Sequence, residues 1–85
     1  MVSFHYVIKD KLGIHARPAG LLVREAAKLN SKITICKGAK SGDARKVFNV
    51  MALAVKENDE IVVNVEGDTE EADAEVMKAF FENNL

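Results

Sequence analysis

The sequence predicts a two-layer α+β domain in which three helices cover one face of a small sheet. Two kinds of hydrophobic period predict it. Apolar residues alternate in the strand manner over residues 2–8, 32–37 and 60–66, and recur at helical spacing over 16–29, 47–54 and the C-terminal segment. The order is strand, helix, strand, weak strand, helix, strand, helix. With 85 residues, one domain spanning 1–85 and a modest core are expected.

In the first strand Val2, Phe4, Tyr6 and Ile8 share one face, while Ser3, His5 and, just beyond, Lys9 take the other. Asp10-Lys11-Leu12-Gly13 breaks the alternation, and Gly13 can adopt backbone angles that other residues avoid. Ala19, Leu22, Val23, Ala26 and Leu29 then form one helical stripe. Pro18 fits the first turn, where a missing N–H costs little, although the step before a proline disfavours helical angles at Arg17. Residues 32–37 read as a strand with Ile33 and Ile35 inward. Residues 38–45 are polar and contain glycine, so a strand there is short and weak. Residues 47–54 form a compact apolar helix, 56–59 a turn, and 60–66 a strand with Ile61, Val63 and Val65 inward. Asp68 or Thr69 can cap the last helix, whose early acids suit the positive helix end. Its buried stripe is Ala74, Met77, Phe80 and Phe81.

The chemistry concentrates in Gly13-Ile14-His15-Ala16-Arg17-Pro18-Ala19, where the first strand hands over to the first helix. A helix start leaves N–H groups without partners, here those of Ala16 and Arg17, and its positive dipole end favours an anion. An imidazole titrates near a pKa of about 6.5, so a neutral, nucleophilic form of His15 exists near neutral pH. Arg17 adds planar donors for phosphoryl oxygens. Taken alone, a histidine at a turn is an ordinary polar loop residue or cap. It is the complete string and its place in the chain that point to a phosphohistidine site.

Composition excludes several other classes. Twelve basic against 13 acidic residues leave a net charge of −1, which argues against a nucleic-acid or membrane-surface specialist. No apolar stretch approaches the roughly 20 residues of a membrane span. Cys36 is the single cysteine and cannot close an internal disulfide; with no apolar targeting run at the N-terminus, this points to a reducing cytoplasm. Neither a metal nor a cofactor is expected, because ligand spacings, a glycine-rich nucleotide loop and paired carboxylates are all missing. A phosphoryl group must therefore arrive already activated on another protein. His5 reads as a solvated strand histidine, Cys36 as a structural thiol, and the acids at 70, 71, 73 and 75 as a solvated helix face. Asp73 lies near the buried stripe with no functional use evident.

Two helix surfaces read as a docking face. Opposite the buried stripe of the first helix lie Arg17, Gly20, Leu21, Arg24 and Lys28, with the apolar Leu21 among cations. The second helix is apolar almost all round, so some of Val47, Phe48 and Met51 are exposed. An apolar patch rimmed by cations fits an acidic protein partner.

The string at 13–19, its position, and the block Val47-Phe48-Asn49-Val50-Met51-Ala52-Leu53 resemble HPr, the histidine phosphocarrier family of the phosphoenolpyruvate-dependent sugar phosphotransferase system. The likeness runs the whole chain without an evident gap, through Asp59-Glu60-Ile61 and Glu66-Gly67-Asp68. It implies a four-stranded antiparallel open-faced sandwich, a strand order that pattern alone does not supply. It also implies that His15 takes a phosphoryl group from enzyme I and gives it to enzyme IIA proteins of sugar transporters. The chain would act as a monomer, with Ala16 and Arg17 at the phosphate and Gly20, Leu21, Arg24, Val47, Phe48 and Met51 at the partner. Two positions depart from the family. The serine that many Gram-positive members phosphorylate just before the second helix is Lys46 here, which cannot accept that phosphate. Ser41 lies away from the helix start and is a poor substitute. Leu12 replaces a usual small polar residue and removes one possible hydrogen bond near the site. These departures give weight to an alternative, an HPr-like paralogue serving a regulatory or dedicated phosphorelay.

Overall fold

The computed structural model describes all 85 residues, Met1 to Leu85. The elements run β1 (Val2–Val7), α1 (Ala16–Ala27), β2 (Lys32–Lys37), β3 (Lys40–Asp43), α2 (Val47–Ala52), β4 (Glu60–Glu66) and α3 (Glu70–Asn84). The strands form one antiparallel sheet in the order β1-β4-β2-β3, with β1 and β3 at the edges. The period-2 apolar residues of the central strands face the helices. Ile33 stands opposite Val65 and Ile35 opposite Val63, and all four are buried. Ala19, Leu22 and Ala26 of α1, Val50 of α2, and Ala74, Met77 and Phe81 of α3 close over them in one cluster of 18 buried residues. The other sheet face stays open and polar: Ser3 Oγ donates to Asn64 Oδ1 at 2.6 Å, and the exposed His5 lies 3.6 Å from Glu60.

Several boundaries differ from the sequence expectation, each for a physical reason. Val2, Phe4 and Tyr6 are only half-buried because β1 is an edge strand, whereas Ile8, just past its end, is fully enclosed. Helix α1 stops at Ala27 instead of Leu29. The Arg45 guanidinium clamps its end, donating to the carbonyls of Leu29 at 2.6 Å, Ser31 at 3.2 Å and Ala26 at 3.5 Å. Leu29 and Ser31 lie just past the helix, where their carbonyls have no intrahelical donor, while Ala26 O also accepts the Leu29 N–H at 3.1 Å. Helix α2 ends at Ala52, and Ala54 turns into the left-handed region at φ +52°. Lys37 holds this turn, donating to the Ala54 carbonyl at 2.7 Å and pairing with Asp59 at 2.9 Å. At Gly42 a Cβ would stand 2.8 Å from the Asn49 carbonyl oxygen, so only glycine lets α2 settle this close to β3.

At α3, Thr69 occupies the cap position but does not cap the backbone. Its Oγ1 donates to Asp73 Oδ2 at 2.8 Å, and Glu70 Oε1 accepts the Gly67 N–H at 3.2 Å. Asp73 is buried, and its Oδ2 also accepts from the Ser31 hydroxyl at 2.6 Å and the Ser31 N–H at 3.1 Å. The Ser31 hydroxyl, then the other donors, hold this carboxyl below the usual carboxylate range. Expected as part of a solvated face, Asp73 instead ties α3 to the segment joining α1 and β2. Phe80, placed in the buried stripe, is only half-buried and packs edge-on to Phe81, with ring centroids 5.9 Å apart.

Candidate functional site

The turn that carries His15 is built from the backbone outward. Asp10 Oδ1 accepts the Leu12 N–H at 2.8 Å, and the Asp10 carbonyl accepts the Gly13 N–H at 3.0 Å. Gly13 sits at φ +67°, where an added Cβ would run into the Val55 carbonyl oxygen. That same oxygen accepts the Ile14 N–H at 3.0 Å, and the Ile14 side chain is buried. The turn is pinned from below as well, since the N–H groups of Lys9 and Asp10 both donate to Leu85 O, at 2.6 and 2.9 Å. Little freedom remains in the backbone leading to His15.

His15 is the N-cap of α1, extended at φ −99° and ψ −174°, and its carbonyl accepts the Ala19 N–H at 3.0 Å. The half-exposed imidazole makes no capping hydrogen bond, so neither ring nitrogen is committed to the helix start. The N–H groups of Ala16 and Arg17 have no acceptor within the protein. No acidic residue occupies the first turn of α1, so nothing neutralises its positive end. The helix begins at Ala16 and includes Arg17, so the bias imposed by Pro18 is overridden; Pro18 itself is buried in the first turn. Arg17 is exposed and enters no ion pair.

His15 and Arg17 line an open hollow of ≈ 360 Å³ together with Pro18 and Leu21. Asp10 from the turn and Asn83 and Asn84 from the end of α3 line it too. Of the site residues expected from sequence, His15, Arg17 and Leu21 line this hollow, and Ala16 lies between His15 and Arg17 with its N–H unpaired. The sequence reading missed Asp10, Asn83 and Asn84. An asparagine pair at the far end of the chain carries no local motif, and only the packing of α3 alongside α1 and β1 brings it here.

The docking residues divide. Leu21 is 41% exposed, Phe48 82% and Met51 38%, while Val47 is half-buried and packs on the core. Arg24 is exposed and Gly20 half-buried. Helices α1 and α2 pack together, so these side chains stand on neighbouring helices, outside the hollow except for Leu21. Lys46 is the N-cap of α2 and is exposed. Cys36 lies half-buried on the sheet, where Asn64 Nδ2 donates to its Sγ at 3.5 Å, and no cluster of metal-ligating side chains is present. No helix is long and apolar enough to cross a membrane.

Comparison with known proteins shows the family of the whole chain. The family model described as the PTS HPr component phosphorylation site matches residues 2–83. The phosphocarrier protein HPr of Mycoplasma capricolum is 40% identical over 78 residues, covering 92% of this chain and 88% of that protein. The HPr-like protein Crh of Halalkalibacterium halodurans is 37% identical over 82 residues, 96% of this chain and 98% of that one. Among solved structures, a histidine-containing phosphocarrier protein from Mycoplasma superposes with a TM-score of 0.92 at 36% identity, covering 96% of this chain and 93% of the other.

Proposed function

The chain belongs to the PTS HPr component family, and from that premise we propose that a ring nitrogen of His15 accepts a phosphoryl group from phosphoenolpyruvate-charged enzyme I and passes it to enzyme IIA proteins for sugar uptake. One observation carries the reading: an uncommitted imidazole at a helix start, with the free N–H groups of Ala16 and Arg17 and the unpaired Arg17 guanidinium beside it. The imidazole lone pair attacks phosphorus, the bond from phosphorus to the donor breaks, and a P–N bond to His15 forms. Ala16 and Arg17 receive the phosphoryl oxygens as charge shifts between donor and acceptor. The same contacts serve the reverse geometry when an acceptor attacks. All the groups this requires come from one chain, so the carrier acts as a monomer, in the cytoplasm where a lone thiol such as Cys36 stays reduced.

Docking uses Leu21, Phe48 and Met51 as apolar contacts, with Gly20 and Val47 at their edge and Arg24 supplying charge for an acidic partner. The transfer half of the reading is tested by a chase: carrier phosphorylated on His15 is isolated, then mixed with enzyme IIA. Phosphate should move quantitatively to the acceptor, whereas a carrier that keeps its label while losing it only to water overturns the role.

Lys46 favours a second reading, in which the same His15 chemistry serves a regulatory or dedicated phosphorelay without serine control. Its exposed side chain stands at the α2 start, where no hydroxyl is available. Transfer rates with a sugar-system enzyme I and with a dedicated one, compared on this carrier, separate the two.

A further inference from the structure

Besides His15 and Arg17, the polar side chains reaching the hollow are Asp10, Asn83 and Asn84. Two are already engaged or of the wrong character for an anion. Asp10 carries a negative charge and accepts the Leu12 N–H. Asn84 is held in place by its Nδ2, which donates one of its two hydrogens to the Phe80 carbonyl of its own helix at 2.9 Å. Asn83 is exposed and makes no hydrogen bond within the protein, so its carboxamide is a free neutral donor in this hollow. Its location gives that donor a purpose. It stands at the C-terminal end of α3, whose last turn has no basic residue. The carbonyl end of a helix carries partial negative charge and repels a phosphoryl dianion. An N–H at that end presents the opposite sign.

Resting on the phosphocarrier reading, we propose that Asn83 contacts the phosphoryl group, its Nδ2 donating to an oxygen of the phosphate carried on His15. The donor lines the same hollow as His15 and Arg17 but comes from the other end of the chain's helical layer, the end of α3. The phosphoryl oxygens are thereby held by groups from two elements, the α1 amides and Arg17 from one helix and Asn83 from another. Because Asn83 lies outside the core, its substitution leaves the fold intact.

The test uses the full chain and phosphoramidate, which needs no partner protein. The P–N bond of the reagent breaks, a P–N bond to a His15 ring nitrogen forms, and ammonia leaves. On phosphorylation the Asn83 side-chain amide resonances should shift downfield, while those of Asn64 on the open sheet face stay in place. A hydrogen bond to the phosphoryl oxygen draws off charge that otherwise favours a proton on the phosphorylated ring. The pKa of phosphorylated His15 should therefore rise by roughly 0.3–1 unit in Asn83→Ala, a two- to tenfold change in proton affinity, and further in Asn83→Asp. Asp10 and Arg17, the charged side chains that line the hollow with the ring, are the same in every variant. The unphosphorylated ring should titrate alike in wild type and Asn83→Ala. Label on His15 with a stationary Asn83 amide and an unchanged phosphorylated pKa in Asn83→Ala overturns this inference alone. Label on any other residue, or none, overturns the phosphocarrier reading and this inference with it.

Discussion

At the scale of single residues, the site depends on side chains left without internal partners, and the structural network on side chains that have several. Arg17 is of the first kind. Its planar fork can meet two phosphoryl oxygens at once, which an ammonium cannot, so Arg17→Lys should slow transfer from enzyme I about tenfold or more despite the conserved charge. Single-turnover rates check this, and equal rates would leave only a general positive field. Asp73 is of the second kind, accepting three hydrogen bonds through one oxygen. Its folded-state pKa is lowered, first by the Ser31 hydroxyl, so its stabilisation is present above the unfolded pKa of about 3.9 and is lost as pH falls through the folded value. Asp73→Asn should cost about 1–3 kcal/mol at pH 7. The variant should then lose less stability than wild type between pH 5 and pH 2, both ranges read by urea unfolding. Parallel pH profiles would show that the carboxylate is not charged in the folded network.

At the scale of elements, the two helices that flank the site were legible to different degrees. The α1 stripe was plain from its 3.6-residue period, and Ala19, Leu22 and Ala26 are indeed enclosed. Its end was not, because Arg45, which holds the carbonyls of Leu29 and Ser31 just past the helix, comes from a loop that periodicity describes only as polar. Helix α2 was overlong in the sequence reading, since nothing about an alanine announces a left-handed Ala54. Its surplus of apolar residues was informative all the same, as Phe48 is left almost fully exposed. Phe48→Ala should weaken enzyme I binding by about 1–2 kcal/mol with no loss of fold, measured by titration calorimetry. Lys46→Glu, at the α2 cap, should weaken the same binding at low salt, with the loss shrinking as salt rises. An indifferent Lys46→Glu would mean that the start of α2 does not face the partner. ATP-dependent HPr kinase should place no phosphate at Lys46, and stoichiometric labelling at Ser41, found by site mapping, would show that control had moved there.

At the scale of the whole molecule, the layers and the order of elements followed from hydrophobic period, and the antiparallel sheet from family resemblance. The order β1-β4-β2-β3 has no local signature, because pairing between distant strands is decided by which apolar faces cover one another. The same limit applies to the site. His15 and Arg17 stand together in one heptapeptide, but the hollow they share with Asp10, Asn83 and Asn84 exists only once α3 folds back beside the first turn. What the assembled molecule offers is a rigid turn that presents one uncommitted imidazole next to a helix start. The most direct test incubates wild type and His15→Ala with enzyme I and labelled phosphoenolpyruvate, then maps the phosphate. Wild type should take up one acid-labile phosphate on His15 and His15→Ala none, with identical circular dichroism for the two proteins. Acid-labile phosphate on folded His15→Ala, or on His5 in the wild type, would contradict the account.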